Sequence, residues 1–597
     1  MILILGGTTE GRLAVRVADA AGSPYWYSTR GDLQHIECRN GTHISGAMDE
    51  AAMTSFCADY GIRLLVDAAH PFATELHRTV AAVAESLDLP VVRVERRYPA
   101  EDPDIRWCDS YEDAVSKLEV DGVGRLLALT GVQTIGRLKP YWERHECWFR
   151  ILHRDESLQK AAGEGFPEDR LVFYEEDDEA DLISRLKPQA ILTKESGESG
   201  GFTDKVAAAR AAGVPVYAVR RPALPAGFET DTGEHGLRKA IERLVPGFFP
   251  LRSGFTTGAC ATAAAKAALL ALLGKPAKDS VEIGFPDGER LSLPLSSSGL
   301  AGSCGTATVV KDAGDDPDVT NGREVVATVA FSSEPGIRFL QGEGVGRVTL
   351  PGLGLPIGGP AINKVPRQMM EKELSGLYEG GLDVTISVPG GRELALRTFN
   401  PKLGIVDGIS IIGTSGIVQP FSNEAFVDAI RREIEVAAAV GSRPLVINSG
   451  AKSEAFLKSR YPELPAQAFV HYGNAIGDTL RIAAELGIPE VVMGIMVGKA
   501  VKLAQGHLDT HSKSVVMDKE FLKEVAGEAG CTPETAAAID RMTLARELWD
   551  GLPAADAGKF FAAIHKRCEA ACAAVYPAKE GEGKLTILLL DEKGGTL

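Results

Sequence analysis

Short apolar runs separated by amphipathic stretches dominate the first 245 residues. Runs at 2–5, 25–28, 64–68 and 91–94 have strand length, and each is followed by a helical pattern. After a break they resume at 126–129, 148–152, 171–174, 190–193 and 216–219. Such alternation predicts parallel α/β sheets. The break predicts two Rossmann-like parallel α/β subdomains, about 1–122 and 125–246, with a seam at Gly122-Val123-Gly124. Prolines and glycines then cluster in PGFFPLRSGFTTG (246–258), the expected main boundary between domains 1–246 and 251–597. Beyond it the pattern predicts an Ala-rich helix capped by Thr256 or Thr257, hairpin strands around PDGE (286–289) and Gly-rich loops. From about 400, βα alternation returns at 445–448, 468–472 and 491–495. The expected fold is an α/β first half followed by an α+β region with a late βα section.

The first strand runs directly into GGTTEGR. A strand, a glycine turn and a helix start form a phosphate site, because the backbone approaches closely and the helix N-terminus offers N–H donors. Gly6 and Gly11 take the outer glycine positions of the Rossmann-like pattern G-x-G-x-x-G, with Gly7 and Thr9 between them. Thr8 replaces the middle glycine, and its hydroxyl is expected to donate to a phosphate; the alternative is a plain tight turn. Where the second strand ends, an NAD enzyme places an acid on the ribose. Here stand Ser28, Thr29 and Arg30, which favours NADPH over NADH, although Asp32 nearby argues the other way. The Tyr-x-x-x-Lys pair of short-chain dehydrogenases does not occur.

Two further polar clusters follow strands, DAAHPFA (67–73) and LTKESGESGG (192–201), where open α/β sheets bind ligands. His70 is a candidate proton donor, with a capping or packing role as the alternative. Lys194 is a candidate acid or carboxylate clamp, and Ser196 with Gly197 a candidate anion-binding turn.

In the second half, QGEGVGR (341–347) runs into prolines and glycines that forbid the helix a nucleotide loop requires, and reads as structural or substrate-facing. VINSGAKSEAF (446–456) and VHYGNAIGDTL (470–480) do read strand, turn, helix. Asn448, Gly450, Gly473, Asn474, Gly477 and Asp478 are thus candidate nucleoside contacts, or equally helix-start residues. KDAGDDPDV (311–319) reads as turn chemistry before a substrate or ion contact. His507, Asp509 and His511 alternate in an extended pattern, and a zinc site there is the minor reading. His565, Cys568 and Cys572 share a helical face and read as core.

Composition narrows the class. The net charge of −17 argues against nucleic-acid or acidic-membrane binding. An anionic small substrate needs only local cations, for which Arg96-Arg97, Arg220-Arg221 and Arg367 are candidates. Nine cysteines form no disulfide framework, and the Ala/Leu-rich run at 258–273 is interrupted by Lys266. A reduced, cytoplasmic enzyme is expected, with no membrane and no nucleic-acid partner.

LILGGTTEGR, DAAHPFA and LTKESGESGG together resemble the precorrin-6A reductase family, across residues 1 to about 246. SGFTTGACATAAAKAAL, GPAINKVPRQM and NPKLGIVDGISIIGTSGIV, with the two later turns, resemble the cobalt-precorrin-5B C1-methyltransferase family across 251–597. Lys364 stands in the second motif where the family suggests a proline. The resemblance implies a bifunctional enzyme of cobalamin synthesis. One part would methylate cobalt-precorrin-5B with S-adenosylmethionine to give cobalt-precorrin-6A, and the other would reduce that product with NADPH. It also implies corrinoid contacts from Thr256, Thr257, Asn363, Arg367, Ser196, Gly197 and Arg220, with His70 and Lys194 catalytic. The cobalt belongs to the substrate, so no protein metal site is expected. Two rivals stay open at this point: an NADP-linked reductase of another substrate fused to an ATP-using domain, and a non-catalytic NADPH sensor or scaffold.

Overall fold

A computed structural model describes residues 1–31, 36–174, 178–511, 517–577 and 583–595. Asp32 therefore lies outside the described residues. The chain divides into two compact units, Met1–Leu251 and Arg252–Leu597.

The first unit contains two six-stranded sheets, each wholly parallel. The first is built from β1 (Ile2–Leu5), β2 (Tyr25–Thr29), β3 (Gly41–Ser45), β4 (Leu64–Asp67) and β5 (Val91–Val94). The second holds β6 (Arg106–Cys108), β7 (Arg125–Ala128), β8 (Glu146–Ile151), β9 (Leu171–Phe173), β10 (Ala190–Lys194) and β11 (Val216–Val219). A last strand, β12 (Phe228–Asp231), returns to the first sheet beside β5. The orders are β12-β5-β4-β1-β2-β3 and β6-β11-β10-β7-β8-β9. The first reads from the far edge as 3-2-1-4-5-6, the doubly wound order, and the second repeats it except that its last place is taken by β6, the strand that comes first in the chain. The direction of winding reverses between β1 and β4 in one sheet and between β7 and β10 in the other. Those two switch points are where such sheets hold ligands.

The expected seam at Gly122-Val123-Gly124 is corrected by this topology. β6 and the helix Tyr111–Val120 already belong to the second sheet, whereas β12 and the helix Glu234–Leu244 belong to the first lobe. Gly122, at φ +66, merely turns a helix into β7. The chain instead crosses between lobes at 95–105 and again at 220–227, which places Arg96-Arg97 and Arg220-Arg221 on the two crossings. The strands without an apolar run, β3, β6 and β12, are edge strands with exposed residues. Interior strands such as β1 and β11 are buried on both faces and read as continuous apolar runs.

In the second unit, the Ala-rich helix Thr257–Leu272 is buried along nearly its whole circumference. It packs on a five-stranded mixed sheet ordered Ser297–Ala301, Cys304–Val310, Glu324–Ser332, Gly381–Ser387, Ile337–Gln341. Small side chains permit that approach: a Cβ on Gly305 would stand 1.9 Å from the carbonyl of Ala268. Ser280–Gly284 and Arg290–Pro294 form the hairpin expected around PDGE. A four-stranded parallel sheet, ordered Phe469–His471, Leu445–Asn448, Glu490–Met496, Lys584–Leu590, carries the late βα section. All nine cysteines are free, and no helix of the described residues is long and apolar enough to cross a membrane.

Candidate functional site

In the first unit the three quoted motifs converge. After β1, Gly7 adopts φ +96 with open space where a Cβ would lie. A Cβ on Gly6 would meet the Tyr27 ring at 2.4 Å, and one on Gly11 would meet Gly6 Cα at 3.0 Å. The glycines thus serve the turn and the packing of the helix Thr9–Asp19 on the sheet. Thr8 caps that helix by accepting from Gly11 N at 3.1 Å, and its own proton goes to Ala68 O at 2.6 Å, across the first switch point. The Thr8 hydroxyl thus joins the ends of β1 and β4. Ser28 and Thr29 end β2, where Ser28 O accepts from Gly6 N and the Thr29 hydroxyl lies 2.7 Å from His43 Nε2. Arg30 follows them, exposed.

Glu10, in the first turn of the same helix, is missed by the sequence, since an acid at a helix start is ordinary. It is buried, pairs with Arg96 at 3.0 Å and accepts from the Ser199 hydroxyl. Burial alone would raise its pKa, but Ser199 and Arg96 hold it below the usual carboxylate value. Arg96 also donates to Ser196 O at 2.8 Å. A Cβ on Gly197 would stand 2.8 Å from Arg96 Cβ, so the Ser196-Gly197 turn is moulded onto that arginine. The opening loop of one lobe is thereby clasped to the strand end of the other.

His70 follows β4 and Lys194 ends β10, and the structure brings them together around Phe72. Lys194 Nζ lies 5.5 Å from the Phe72 ring centre, and the Phe72 N–H donates to His70 Nδ1 at 3.1 Å. The His70 proton is therefore on Nε2. Burial, then Lys194 and Arg96, push His70 down to about 3, so it is neutral at physiological pH. Burial, then Lys205 and Arg96, lower Lys194 to about 8. The facing strand ends therefore gather Arg96, Lys194 and Lys205 against the carboxylate of Glu10, an excess of positive charge suited to an anionic ligand. Arg220, by contrast, is held by Glu101 and Asp109 and lies over Trp107, so its guanidinium is engaged within its own lobe.

In the second unit a pocket opens between the N-terminus of the Ala-rich helix, the loop 398–412 and the helix Asn423–Ala439. Thr257, Asp318, Asn363, Asn400, Ser410, Arg432 and Glu433 supply its polar wall; Leu403, Ile405, Ile409 and Phe399 supply its apolar one. Three motifs meet here through close backbone contacts. A Cβ on Gly258 would meet Pro366 at 2.6 Å, and one on Gly413 would meet the Thr256 hydroxyl at 2.3 Å. Asn363 precedes the helix Lys364–Ser375 without a side-chain cap bond. Lys311, which the sequence reads as part of a surface turn, is buried and holds Asp318 and Thr320 at the pocket wall.

Several expected ligand contacts have internal partners instead. Thr256 caps its helix, accepting from Ala259 N at 3.1 Å. Thr257 exchanges hydrogen bonds with Ile412 N and O. Arg367 donates to Ile362 O and Pro360 O, fixing the loop rather than presenting a free clamp. Asn448 donates to Val470 O and accepts from Gly450 N, and Asp478 pairs with Arg481. Hydroxyls and amides at element ends satisfy the backbone first.

What remains at the ends of the two parallel strands are glycine turns. Gly450 has φ +157 and Gly473 φ +58, with Asn474 half-buried beyond. Gly477 N donates to Leu508 O, where a side chain would collide with Leu508. His507, Asp509 and His511 are exposed. Cys568 and Cys572 are wholly buried, and His565 lies 2.9 Å from Ile587 O.

Comparison with known proteins adds family assignments. Residues 1–244 match the model for Precorrin-6x reductase CbiJ/CobK. Residues 247–420 match CbiD, and 509–597 match the CbiD C-terminal domain. A cobalt-precorrin-5B C(1)-methyltransferase from Prosthecochloris aestuarii is 42% identical over 356 residues, covering 58% of this chain and 95% of that protein. One from Geobacillus kaustophilus is 45% identical over 343 residues, covering 56% and 91%. A solved CobK precorrin-6A reductase aligns with 41% of this chain and 97% of its own, at 22% identity and a TM-score of 0.34.

Proposed function

We propose which residues do the chemistry from this premise: the chain belongs to the precorrin-6x reductase family over its first unit and to the cobalt-precorrin-5B C(1)-methyltransferase family over its second. It is a bifunctional enzyme of cobalamin biosynthesis, a methyltransferase and a reductase in one chain. The product of methylation, cobalt-precorrin-6A, is the substrate reduced. When bound, S-adenosylmethionine supplies the methyl group and NADPH the hydride.

The first unit fits a dinucleotide. The side-chain-free space at Gly7 and the helix start at Thr9 face phosphate, while Ser28, Thr29 and Arg30 stand where the adenosine ribose is read. Arg30 makes the 2′-phosphate contact, a charge-assisted interaction worth about 1.5–3 kcal/mol. Arg30→Ala is expected to remove most of the preference for NADPH over NADH; unchanged relative affinities in a fluorescence titration would refute the contact.

The gathering of His70 and Lys194 at facing strand ends carries the reading of the reductase. Reduction of a carbon–carbon double bond needs a proton on the carbon next to the one that receives hydride. Lys194, lowered to about 8, is a ready donor at neutral pH, and neutral His70 orients the substrate through its Nε2 proton. Ser196, Gly197 and Arg96 receive a peripheral carboxylate.

In the second unit the turns at Gly450, Gly473 and Asn474 form the floor for the nucleoside of the methyl donor, at the carboxyl ends of adjacent strands. The pocket lined by Asn363, Asn400 and Ser410 receives the macrocycle edge. Positioning of the ring carbon against the methyl group, with water excluded, supplies most of the acceleration. Incubation of the purified chain with cobalt-precorrin-5B and both cofactors tests the whole reading. Mass analysis is expected to show a gain of one methylene and then of two hydrogens. Methylation without reduction, or neither, would overturn it.

A further inference from the structure

We propose that Glu433 accepts the proton that the macrocycle must release during C1 methylation, an assignment that rests on the pocket being the methyl-transfer site. The charge balance requires such an acceptor. The C1–methyl bond forms from a π pair of the ring while the sulfur–methyl bond of the donor breaks, so the positive charge of the sulfonium passes to the ring. Loss of one proton from the ring restores neutrality, and the acceptor returns that proton to solvent once product leaves.

Glu433 stands where the pocket meets the ligand edge of the parallel sheet. It projects from the helix Asn423–Ala439 into the pocket, and its side chain is only 4% exposed. Lys402, in the loop 398–412, pairs with its Oε2, and the Lys402 carbonyl is itself pinned by Gln467 Nε2 at 3.0 Å. His471, the last residue of the strand Phe469–His471, also acts on the carboxylate, as does Glu454 from the helix Ala451–Arg460. Arg432 and Asp318 line the same pocket. The donor's turns at Gly450 and Gly473 flank His471 in that sheet, so the acid lies between the two ligands a methyl transfer must bring together.

A buried structural acid in this unit looks different. Glu373 receives Lys266 at 2.6 Å, Gly284 N at 2.8 Å and Arg290 at 3.2 Å, and these donors outweigh burial and hold its carboxyl below the usual range. Glu433 has the single strong cation Lys402 beside it, and burial pushes its carboxyl above the usual range. That is the direction that makes a carboxylate a better base.

The test uses the full chain with Glu433→Gln, Glu433→Asp, Lys402→Met and Phe399→Ala. Glutamine still accepts from Lys402 but cannot take a proton. Glu433→Gln is expected to lower the methylation kcat by about 10²–10⁴-fold, with macrocycle affinity, read by absorbance titration, unchanged. Glu433→Asp is expected to recover part of the rate. Lys402→Met removes the cation that favours ionisation, so the acid limb of the pH–rate profile is expected to move to higher pH. A merely structural ion pair would not produce that displacement, and the displacement remains readable if Glu433→Gln fails to fold. Unchanged kcat in Glu433→Gln, or an unmoved acid limb in Lys402→Met, overturns the assignment. Phe399→Ala separates this from the pocket reading: normal macrocycle affinity in that variant refutes the pocket. Weakened affinity there, together with normal turnover by Glu433→Gln, refutes only the proton acceptor.

Discussion

Replacing Arg93 by methionine is expected to destabilise the first unit by about 3–5 kcal/mol, the cost of leaving a buried charge without its partner. Arg93 on β5 and Asp67 on β4 are register neighbours, and both side chains are fully buried. Arg93 donates to Asp67 Oδ1 at 2.9 Å, while Asp67 Oδ2 lies 2.6 Å from His77 Nδ1 and Ala69 N donates at 3.1 Å. Burial alone would raise the Asp67 pKa, but His77 and Arg93 reverse that and hold it below its ordinary value. The sign follows: a depressed carboxylate contributes stability above its unfolded-state pKa and loses it as pH falls through the folded value. Methionine weakens the depression, so acid unfolding should begin at higher pH. Urea unfolding at neutral pH, repeated toward acid, measures both effects. A loss below about 1 kcal/mol would show that His77 and Ala69 suffice, since an ordinary hydrogen bond is worth that much. The reductase should weaken in step, because β4 ends at the Ala68 carbonyl that receives Thr8 and leads into His70.

Much of this framework was readable from residue pattern, for a physical reason. Interior strands of parallel sheets are buried on both faces, so β1 and β11 stand out as unbroken apolar runs, and β4 and β5 as runs broken only by the paired Asp67 and Arg93. Edge strands carry polar residues outward and vanish into the loops, as FETD does at β12. Sheet membership is a matter of long-range pairing, and nothing local in FETD says that it pairs with Val91–Val94 rather than with Val216–Val219. Hence two lobes were visible but their seam was not.

The site divides along a similar line. Strand-end clusters pointed to His70 and Lys194, because topology alone puts strand ends near ligands. The cap expected at Thr256 forms, and the Thr8 and Asn448 side chains likewise engage nearby backbone groups. Glu433 did leave a trace. Its neighbours Ile430, Ile434 and Ala437 form the apolar face of their helix, and an acid on that face needs a partner from elsewhere. The partner, Lys402, lies 31 residues away in a loop, beyond any local spacing rule. Glu10 left none, since acids are common in first turns; only the fold sets it against Arg96 and Ser199.

Lys194→Met is expected to lower reductase kcat by about 10²–10⁴-fold, the range for loss of a positioned acid, while methylation by the same preparation continues. Methionine preserves the length and the contact with Phe72, so the cleft should keep its shape and its affinity for NADPH. The pH dependence identifies the proton. Lys194 is lowered to about 8 by burial and by Lys205 and Arg96, and it donates only when protonated. Reductase kcat should therefore hold at lower pH and fall as pH rises through about 8. Lys205→Gln, which removes the first-named neighbouring cation, should move that limb upward. His70 cannot produce the limb, because burial and the same cations keep it neutral far below this range. Lys194→Arg completes the test: it restores positive charge without a group that releases a proton near pH 8, since guanidinium stays protonated throughout. If arginine restores the rate, Lys194 acts as a carboxylate clamp. If the rate stays low in both variants and the basic limb disappears with the lysine, the proton that completes the reduction comes from Lys194.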